Sequence, residues 1–398
     1  MPPPRHGRSP LNVSKFAAVR VEPVSDKRSL KTFIRVPWSI YAEDPCWVPP
    51  LIMERKQSLS PRNPFFRHAR WQAWVALQND RPVGRISAQI DELHLERYQD
   101  ATGFFGCLEA VDDPAVFAAL FDVAESWLRD QGMTRARGPF SLSVNQEVGL
   151  LVDNFDTPPF LMMGHAPPYY GAAIERLGYT GVKDLLAYQM TPQFEAPKVM
   201  EALCARIGKK VRMRSLRRKD KHAELELMRD IFNDAWSENW SFTPFTEEEF
   251  RHIGQELLPL IPDDFIQIAE LDGEPVAFIV LMPNVNEAIA DLNGRLLPFG
   301  WARLLWRLKV RFPKTGRVSL MGVRRRLHHT RLGPALAFMT IRALHPATLR
   351  LDMGDVELSW ILEDNHGMRG IIESLGGHAT KRYRVYDKNL TDGARIGG

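Results

Sequence analysis

The chain repeats one pattern, and that duplication limits its fold more than any other feature. Residues 75–86, VALQNDRPVGRI, read as a strand, an Asn-Asp turn and a second strand. Residues 268–279, IAELDGEPVAFI, read the same way, with an Asp-Gly turn and the same Pro-Val entry to the second strand. Such turns between β-rich runs signal hairpins. A second pair follows in the same order. Residues 172–190, AAIERLGYTGVKDLLAYQM, give a helix closed by a glycine cap and then a strand pair, and residues 370–388, GIIESLGGHATKRYRVYDK, repeat that arrangement. Both offsets are about 195 residues, a period long enough for a whole structural unit. Two copies of one α+β unit are expected, at 16–195 and 196–390, each with a mixed central sheet flanked by helices. Residues 1–15, Pro-rich and basic, are expected to form a disordered arm, and 391–398 a tail.

Composition excludes several classes. Apolar residues make up 44% and charged residues 25%, as in ordinary soluble globular proteins. Cys46, Cys107 and Cys204 lie far apart with no ligand spacing, so neither a disulfide framework nor a metal is expected, and a reducing compartment fits. No apolar stretch is long enough to span a bilayer, and the N-terminus has no apolar core of the signal-peptide kind. A cytoplasmic location is expected, either free or peripheral on the inner membrane.

Charge is unevenly placed. Between Leu292 and Leu351 there is no Asp or Glu, but there are thirteen Lys and Arg, against a net charge of +4 for the whole chain. The rest of the chain is therefore net acidic, and the lopsided field suits a phosphate-binding surface. Within this window the strand RVSLMGV leads through Arg324, Arg325, Arg326, His328, His329 and Arg331 into the helix GPALAFMTIRAL. The first amides of a helix lack intrahelical partners and sit at its positive end, so they favour an anion. Gly333 permits close backbone approach, and Pro334 fits a first turn where a missing N–H costs nothing. The arginines can pair with further phosphates. Neither GxxxxGK[ST] nor GxGxxG is present, which excludes the P-loop and dinucleotide-fold readings. The matching place in the first unit carries Glu109, Asp112 and Asp113 and no arginine, so only the second unit is expected to bind a phosphate-bearing ligand.

TRLGPA, 330–335, resembles the pyrophosphate loop of the GNAT superfamily of acyl-CoA N-acyltransferases, Q/R-x-x-G-x-G/A, except that Thr330 stands at its first position. SIYAEDPCWVPPL, GPFSLSVNQEVGLLVDNFDTPP, NDAWSENWSFTPFT and SWILEDNHGMRGIIESLGG are together similar to a bacterial group of double-GNAT proteins that includes ceramide synthases. The likeness runs from about residue 20 to 390. It implies a fatty acyl-CoA cosubstrate, no permanently bound cofactor, and amide formation on a long-chain amine, such as the sphingoid bases sphinganine or 3-ketosphinganine. It also implies that backbone groups at Met321, Gly322 and Val323 hold the pantetheine and polarise the thioester carbonyl, with Arg331, Leu332, Gly333, Pro334 and Ala335 at the pyrophosphate. The strand VELSWILE ends at Glu363, the candidate general base; alternatively Glu363, Asp364 and Asn365 cap the next helix. Many relatives carry a tyrosine on that helix to protonate the leaving thiolate. Ile371 and Ile372 occupy the corresponding places here, so Tyr383 or Tyr386 is the candidate acid, unless both only pack in a strand.

Two further stretches suit an oily substrate. WSENWSFTPF, 236–245, supplies Trp236, Trp240 and Phe242 as candidate substrate-binding residues, together with Asn365; Glu238, Glu247 and Glu248 can attract a cationic amine. PPFLMMGHAPPYYG, 158–171, is comparably apolar. In 300–314, Trp301, Leu304, Leu305, Leu308 and Phe312 recur at helical spacing beside Arg303, Arg307 and Arg311. That face suits an anionic membrane surface or, equally, a core-facing helix with a basic edge. A transferase using aminoacyl-tRNA on a doubled GNAT fold, and a non-catalytic membrane or nucleic-acid binder, are the alternative readings. With no recognised nucleic-acid motif, a nucleic-acid partner is not expected.

Overall fold

The structure is a computed structural model describing residues 18–391. The expected arm at 1–15 lies outside the described residues, as does the tail beyond Thr391. In the first half the strands are β1 (Arg20–Pro23), β2 (Ala69–Gln78), β3 (Arg81–Asp91), β4 (Thr102–Ala110), β5 (Arg135–Gly138) and β6 (Thr180–Met190). Helix α1 (Pro114–Asp130) follows β4, and α2 (Tyr169–Arg176) precedes β6. Helix α3 (Lys198–Ile207) leads into the second half, with β7 (Val211–Ser215), α4 (Lys221–Trp236), α5 (Glu247–Leu257), β8 (Ile266–Leu271) and β9 (Glu274–Pro283). Then come α6 (Gly300–Trp306), β10 (Thr315–Val323), α7 (Leu332–Ala343), β11 (Asp355–Leu362), α8 (His366–Ser374) and β12 (His378–Asn389).

Both expected hairpins form. Asn79 and Asp80 have φ of 50° and 60°, and Asp272 and Gly273 have 51° and 88°, as type I′ turns require. Gly178 and Gly376, both left-handed, close α2 and α8 as expected. The expected strand pairs after those caps are instead single long strands, β6 and β12. No turn chemistry interrupts either run, and each keeps its partners through a register shift.

The two halves share one thirteen-stranded sheet in the order β1-β2-β3-β4-β5-β12-β6-β11-β10-β9-β8-β7, with residues 150–153 pairing on β12 off that path. The final strands are exchanged. β12 of the second half lies beside β5 of the first, and β6 of the first lies beside β11 of the second. Each half keeps one parallel pair, β4 with β5 and β10 with β11; the other pairs along this order are antiparallel. On one sheet face of the second half α4 buries Leu225, Met228, Ile231 and Phe232. On the other, Leu336 and Ala337 of α7 pack with Val276, Ala277 and Val323.

The 300–314 segment differs from expectation. α6 passes into a π-helical turn, Arg307–Arg311, and the wider turn breaks the stripe in two. Leu308 turns inward onto Val285, Ala288 and Ile289, with Leu304 packed beside it, and Phe312 meets Phe265 edge-on. Trp301, Leu305, Trp306 and Val310 stay at least half exposed, beside exposed Leu297 and Phe299. Arg303 and Arg307 both pair with Asp291. No helix among the described residues is long and apolar enough to cross a membrane, and no group of His, Cys, Asp or Glu among them is arranged to hold a metal.

Candidate active site

The sheet opens at one place. β10 and β11 run parallel from the pair Thr315–Asp355 to the pair Val318–Leu358 and then separate. Beyond that point β10 stays paired with β9, and β11 with β6. A cleft of about 600 Å³ passes through this fork. Its walls include Met321, Gly322 and Val323 of β10, Gly333, Pro334 and Ala337 of α7, and Asn365, Met368 and Ile371 at α8. Trp236 and Trp240 close it from the α4 side. A second, narrower and mainly apolar chamber lies between α4, α5 and the sheet. Trp236, Ser319 and Trp360 line both spaces, so the cleft and the chamber meet at the fork.

Backbone polarity at β10 follows from its pairing. The Arg324 amide donates to Val276 O on β9, so alternation turns the polar groups of Met321 and Val323 toward the fork. Their carbonyls are already engaged: Trp236 Nε1 donates to Met321 O at 2.8 Å, and His328 Nε2 lies 2.6 Å from Val323 O. Their N–H groups face the cleft. Gly322 faces the other way, where a Cβ would lie 3.2 Å from Ala235, so its glycine seats α4 closely on β10.

The start of α7 is less open than the sequence suggests. The helix begins at Leu332, but the Leu332 amide donates to Thr330 Oγ1 at 3.1 Å and the Gly333 amide to Thr330 O at 3.3 Å, and Pro334 has no N–H. Gly333 is needed for close approach to the protein itself: a Cβ there would lie 2.7 Å from Leu327 O. Ala335 is fully buried and Leu332 half-buried, and neither lines the cleft. The loop arginines are largely neutralised from elsewhere. Arg324 pairs with Asp230, Arg325 with Glu238, and Arg326 with Glu274. Arg331 is exposed and has no ion-pair partner among the described residues. In the first half the matching helix start is taken by the protein's own carboxylate, since Asp113 caps the Ala115 amide.

The remaining candidates divide. Asn365 lines the cleft, and its side chain also accepts the Met368 amide as the cap of α8. Phe242 is buried in the core near Phe232 and lines neither space. Glu247 and Glu248 pair with Arg251 and Arg67 and line neither space; Glu238 stands at the cleft, where it is paired with Arg325. Tyr383 is fully buried, lines neither space, and its hydroxyl has no partner among the described residues; burial pushes its pKa well up, and the Glu357 charge adds to that. Tyr386 is also buried. Glu363 lies outside the cleft lining, and its carboxylate accepts the Asp184 amide at 3.1 Å. Its orientation has a cause: one extra residue on β11 between Leu358 and Ile361 shifts the side-chain alternation.

The same irregularity exposes a polar group that sequence reasoning missed. Ser359 lines the cleft, and its Oγ donates to Glu357 Oε1 at 2.5 Å and accepts from Arg317 Nε at 2.6 Å. Glu357 and Arg317 are nearly inaccessible, and the closest approach of their charges is 3.9 Å. Burial raises the Glu357 pKa and lowers that of Arg317, and their mutual attraction partly offsets both shifts. The signal was present in the sequence: Glu357 and Ser359 are polar residues two apart in the otherwise apolar run 356–362.

A splayed parallel strand pair, with a helix start and a basic loop on one face and an apolar chamber on the other, defines a GNAT-type acyltransferase. No family model matches the sequence. Its relatives and neighbours are clear. Protein YghO of Escherichia coli (strain K12) is 51% identical over 367 residues, 92% of this chain and 94% of that protein. The bacterial ceramide synthase of Caulobacter vibrioides is 45% identical over 380 residues, 95% of this chain and 99% of that protein. Among solved structures, a tandem GNAT protein from the clavulanic acid biosynthesis pathway matches with a TM-score of 0.54 at 12% identity, over 94% of this chain and 98% of that one. The chain belongs to the double-domain GNAT family of bacterial ceramide synthase and is an acyltransferase.

Proposed function

We propose that this N-acyltransferase moves a fatty acyl group from acyl-CoA to the amine of a long-chain base, sphinganine or 3-ketosphinganine, forming an amide. The carrying observation is the meeting of a wider, mixed polar and apolar cleft beside the basic loop with a mainly apolar chamber at one fork, which suits a substrate that is nucleotide at one end and hydrocarbon at the other. The activity named for the Caulobacter relative supports the choice of base. The unit 196–390 carries the cosubstrate, and 16–195 completes the wall of the apolar chamber through Asn145 and Met162.

In this reading Arg331, exposed just outside the cleft lining, holds the phosphates, with His328 and His329 at the cleft. The Leu332 and Gly333 amides exchange their long bonds to Thr330 for phosphate oxygens. The N–H groups of Met321 and Val323 hold the pantetheine and polarise the carbonyl, stabilising the oxyanion as the amine adds. The attacking amine sheds its proton to Ser359, which relays it to Glu357. Glu363, turned to the Asp184 amide, holds β11 against β6. The CoA thiolate leaves without an acid, so Tyr383 is a packing residue. The exposed apolar surface of Leu297, Phe299, Trp301, Leu305, Trp306 and Val310, with Arg295, Lys309 and Arg311 in the same 295–311 segment, rests on the anionic inner face of the inner membrane, where both oily substrates partition.

The test incubates purified protein with palmitoyl-CoA and either base. Amide and free thiol in equal amounts are expected. Absence of amide from both bases, with turnover of acetyl-CoA on a small soluble amine, would overturn the lipid reading.

A further inference from the structure

We infer that the chamber beside the fork is the seat of the fatty acyl chain, and that its walls set the length of chain the enzyme transfers. This rests on reading the cleft as the acyl-CoA site. The thioester carbon is planar, and its sulfur and alkyl substituents lie on opposite sides of it. With the thiol arm in the cleft and the carbonyl at the fork, the alkyl chain continues past Trp236, Ser319 and Trp360 into the only space those three residues share with the cleft among the cavities described. The amine adds from above or below the carbonyl plane, so its own tail takes a different direction.

The chamber has the shape and chemistry for a hydrocarbon. Trp236, Phe232, Met228 and Leu225 form one stripe of α4 that starts at the fork and runs back eleven residues, about 16 Å of helix. Val280 and Met282 of β9 face it, and Ile253 and Leu257 of α5 wall it. Its polar members are few, and Asn145, Gln146 and Arg317 are each engaged by protein. Asn145 Nδ2 donates to Thr243 O, Gln146 Oε1 accepts the Leu142 amide, and Arg317 donates to Ser359 and to Leu161 O. They leave little for the hydroxyls of a long-chain base, whereas an alkyl chain needs nothing from them.

The experiment measures binding of free CoA and of acyl-CoA from C2 to C18 to the whole protein, and transfer to bases of two chain lengths. Each buried methylene is worth roughly fourfold in affinity, so the native protein should tighten along the series until the chamber is full. Met228→Trp, which fills the chamber midway along α4, should move that plateau to shorter donors, keep the affinity for free CoA, and leave the preference among bases unchanged. Ile253→Trp does the same from α5 if the first variant does not fold. A native protein that binds CoA but gains nothing with acyl length overturns the chamber assignment alone, and so does a variant whose preference shifts among bases instead of donors. A native protein that binds no CoA overturns the reading of the cleft itself.

Discussion

His68 ties the two halves together, and raising the pH should loosen that tie by a calculable amount. Its Nδ1 lies 3.0 Å from Asp91 in the first half, and its Nε2 lies 3.2 Å from Glu249 on α5 in the second. All three side chains are nearly buried, with the imidazole 14% exposed. Burial alone would lower the histidine pKa, but contacts with the two carboxylates overrule it and push the value up to about 10. A folded pKa above the unfolded value of about 6.5 means the stabilisation is complete below pH 6.5 and is lost as pH rises through about 10. Over that window each pH unit removes about 1.4 kcal/mol, so going from pH 6 to pH 9 should cost about 3 kcal/mol at this site. The assay is urea unfolding at both pH values and constant ionic strength, on the native protein and on His68→Gln. The variant keeps a polar side chain without the charge, so other titrating groups cancel between the two proteins. The native protein should lose about 3 kcal/mol more than the variant between the two pH values. Parallel losses would refute the reasoning, because they would show that His68 is not held as a cation between Asp91 and Glu249.

Other expectations concern the site. Arg331→Glu should weaken CoA binding at least tenfold by calorimetry, the cost of losing one charge-assisted contact and adding a repulsion. Gly333→Val should match it, because the new side chain displaces the Leu327 carbonyl that shapes the loop. Ser359→Ala should lower kcat roughly a hundredfold, in the range of lost proton-transfer catalysis, and should also lower the melting temperature, because Glu357 and Arg317 each lose a buried hydrogen bond. Glu363→Gln should keep most turnover, and abolished turnover there would restore Glu363 as the base. Trp301→Glu with Trp306→Glu should abolish sedimentation with vesicles containing anionic lipid while leaving free CoA affinity intact.

The sequence carries what is local and omits what is remote. The hairpins were legible because Asn-Asp and Asp-Gly turns dictate them within a few residues. The exchange of β6 and β12 was not, since both strands suit a place beside either β5 or β11, and adjacency across more than 160 residues leaves no local mark. The basic loop was visible as charge, but its neutralisation was not. Asp230 and Glu238 sit on α4 or just beyond it and Glu274 beside a distant turn, and only folding brings them to Arg324, Arg325 and Arg326. Glu363 lies off the cleft lining for a definable reason: counting alternate residues along VELSWILE puts it with Glu357 and Ser359, and one inserted residue reverses that.

The aromatic and aliphatic stripe of α4 shows the deeper limit. Leu225, Met228, Phe232 and Trp236 recur at the spacing of a buried helix face, and periodicity reports that such a face avoids water. It cannot report whether protein or a ligand fills the space opposite. Here the first three residues both pack in the core and line the chamber, so one stripe serves stability and site together. Trp236 is where the two roles part. Its ring packs on Phe232 and Trp360, and its Nε1 fixes the Met321 carbonyl on β10. A residue that orients the strand edge at the fork and also stands where cleft and chamber join should couple acyl-chain binding to carbonyl alignment. Trp236→Phe, which removes that one hydrogen bond and little volume, should therefore lower kcat while leaving the Kd for long-chain acyl-CoA within about threefold, and a loss confined to Kd would contradict the coupling.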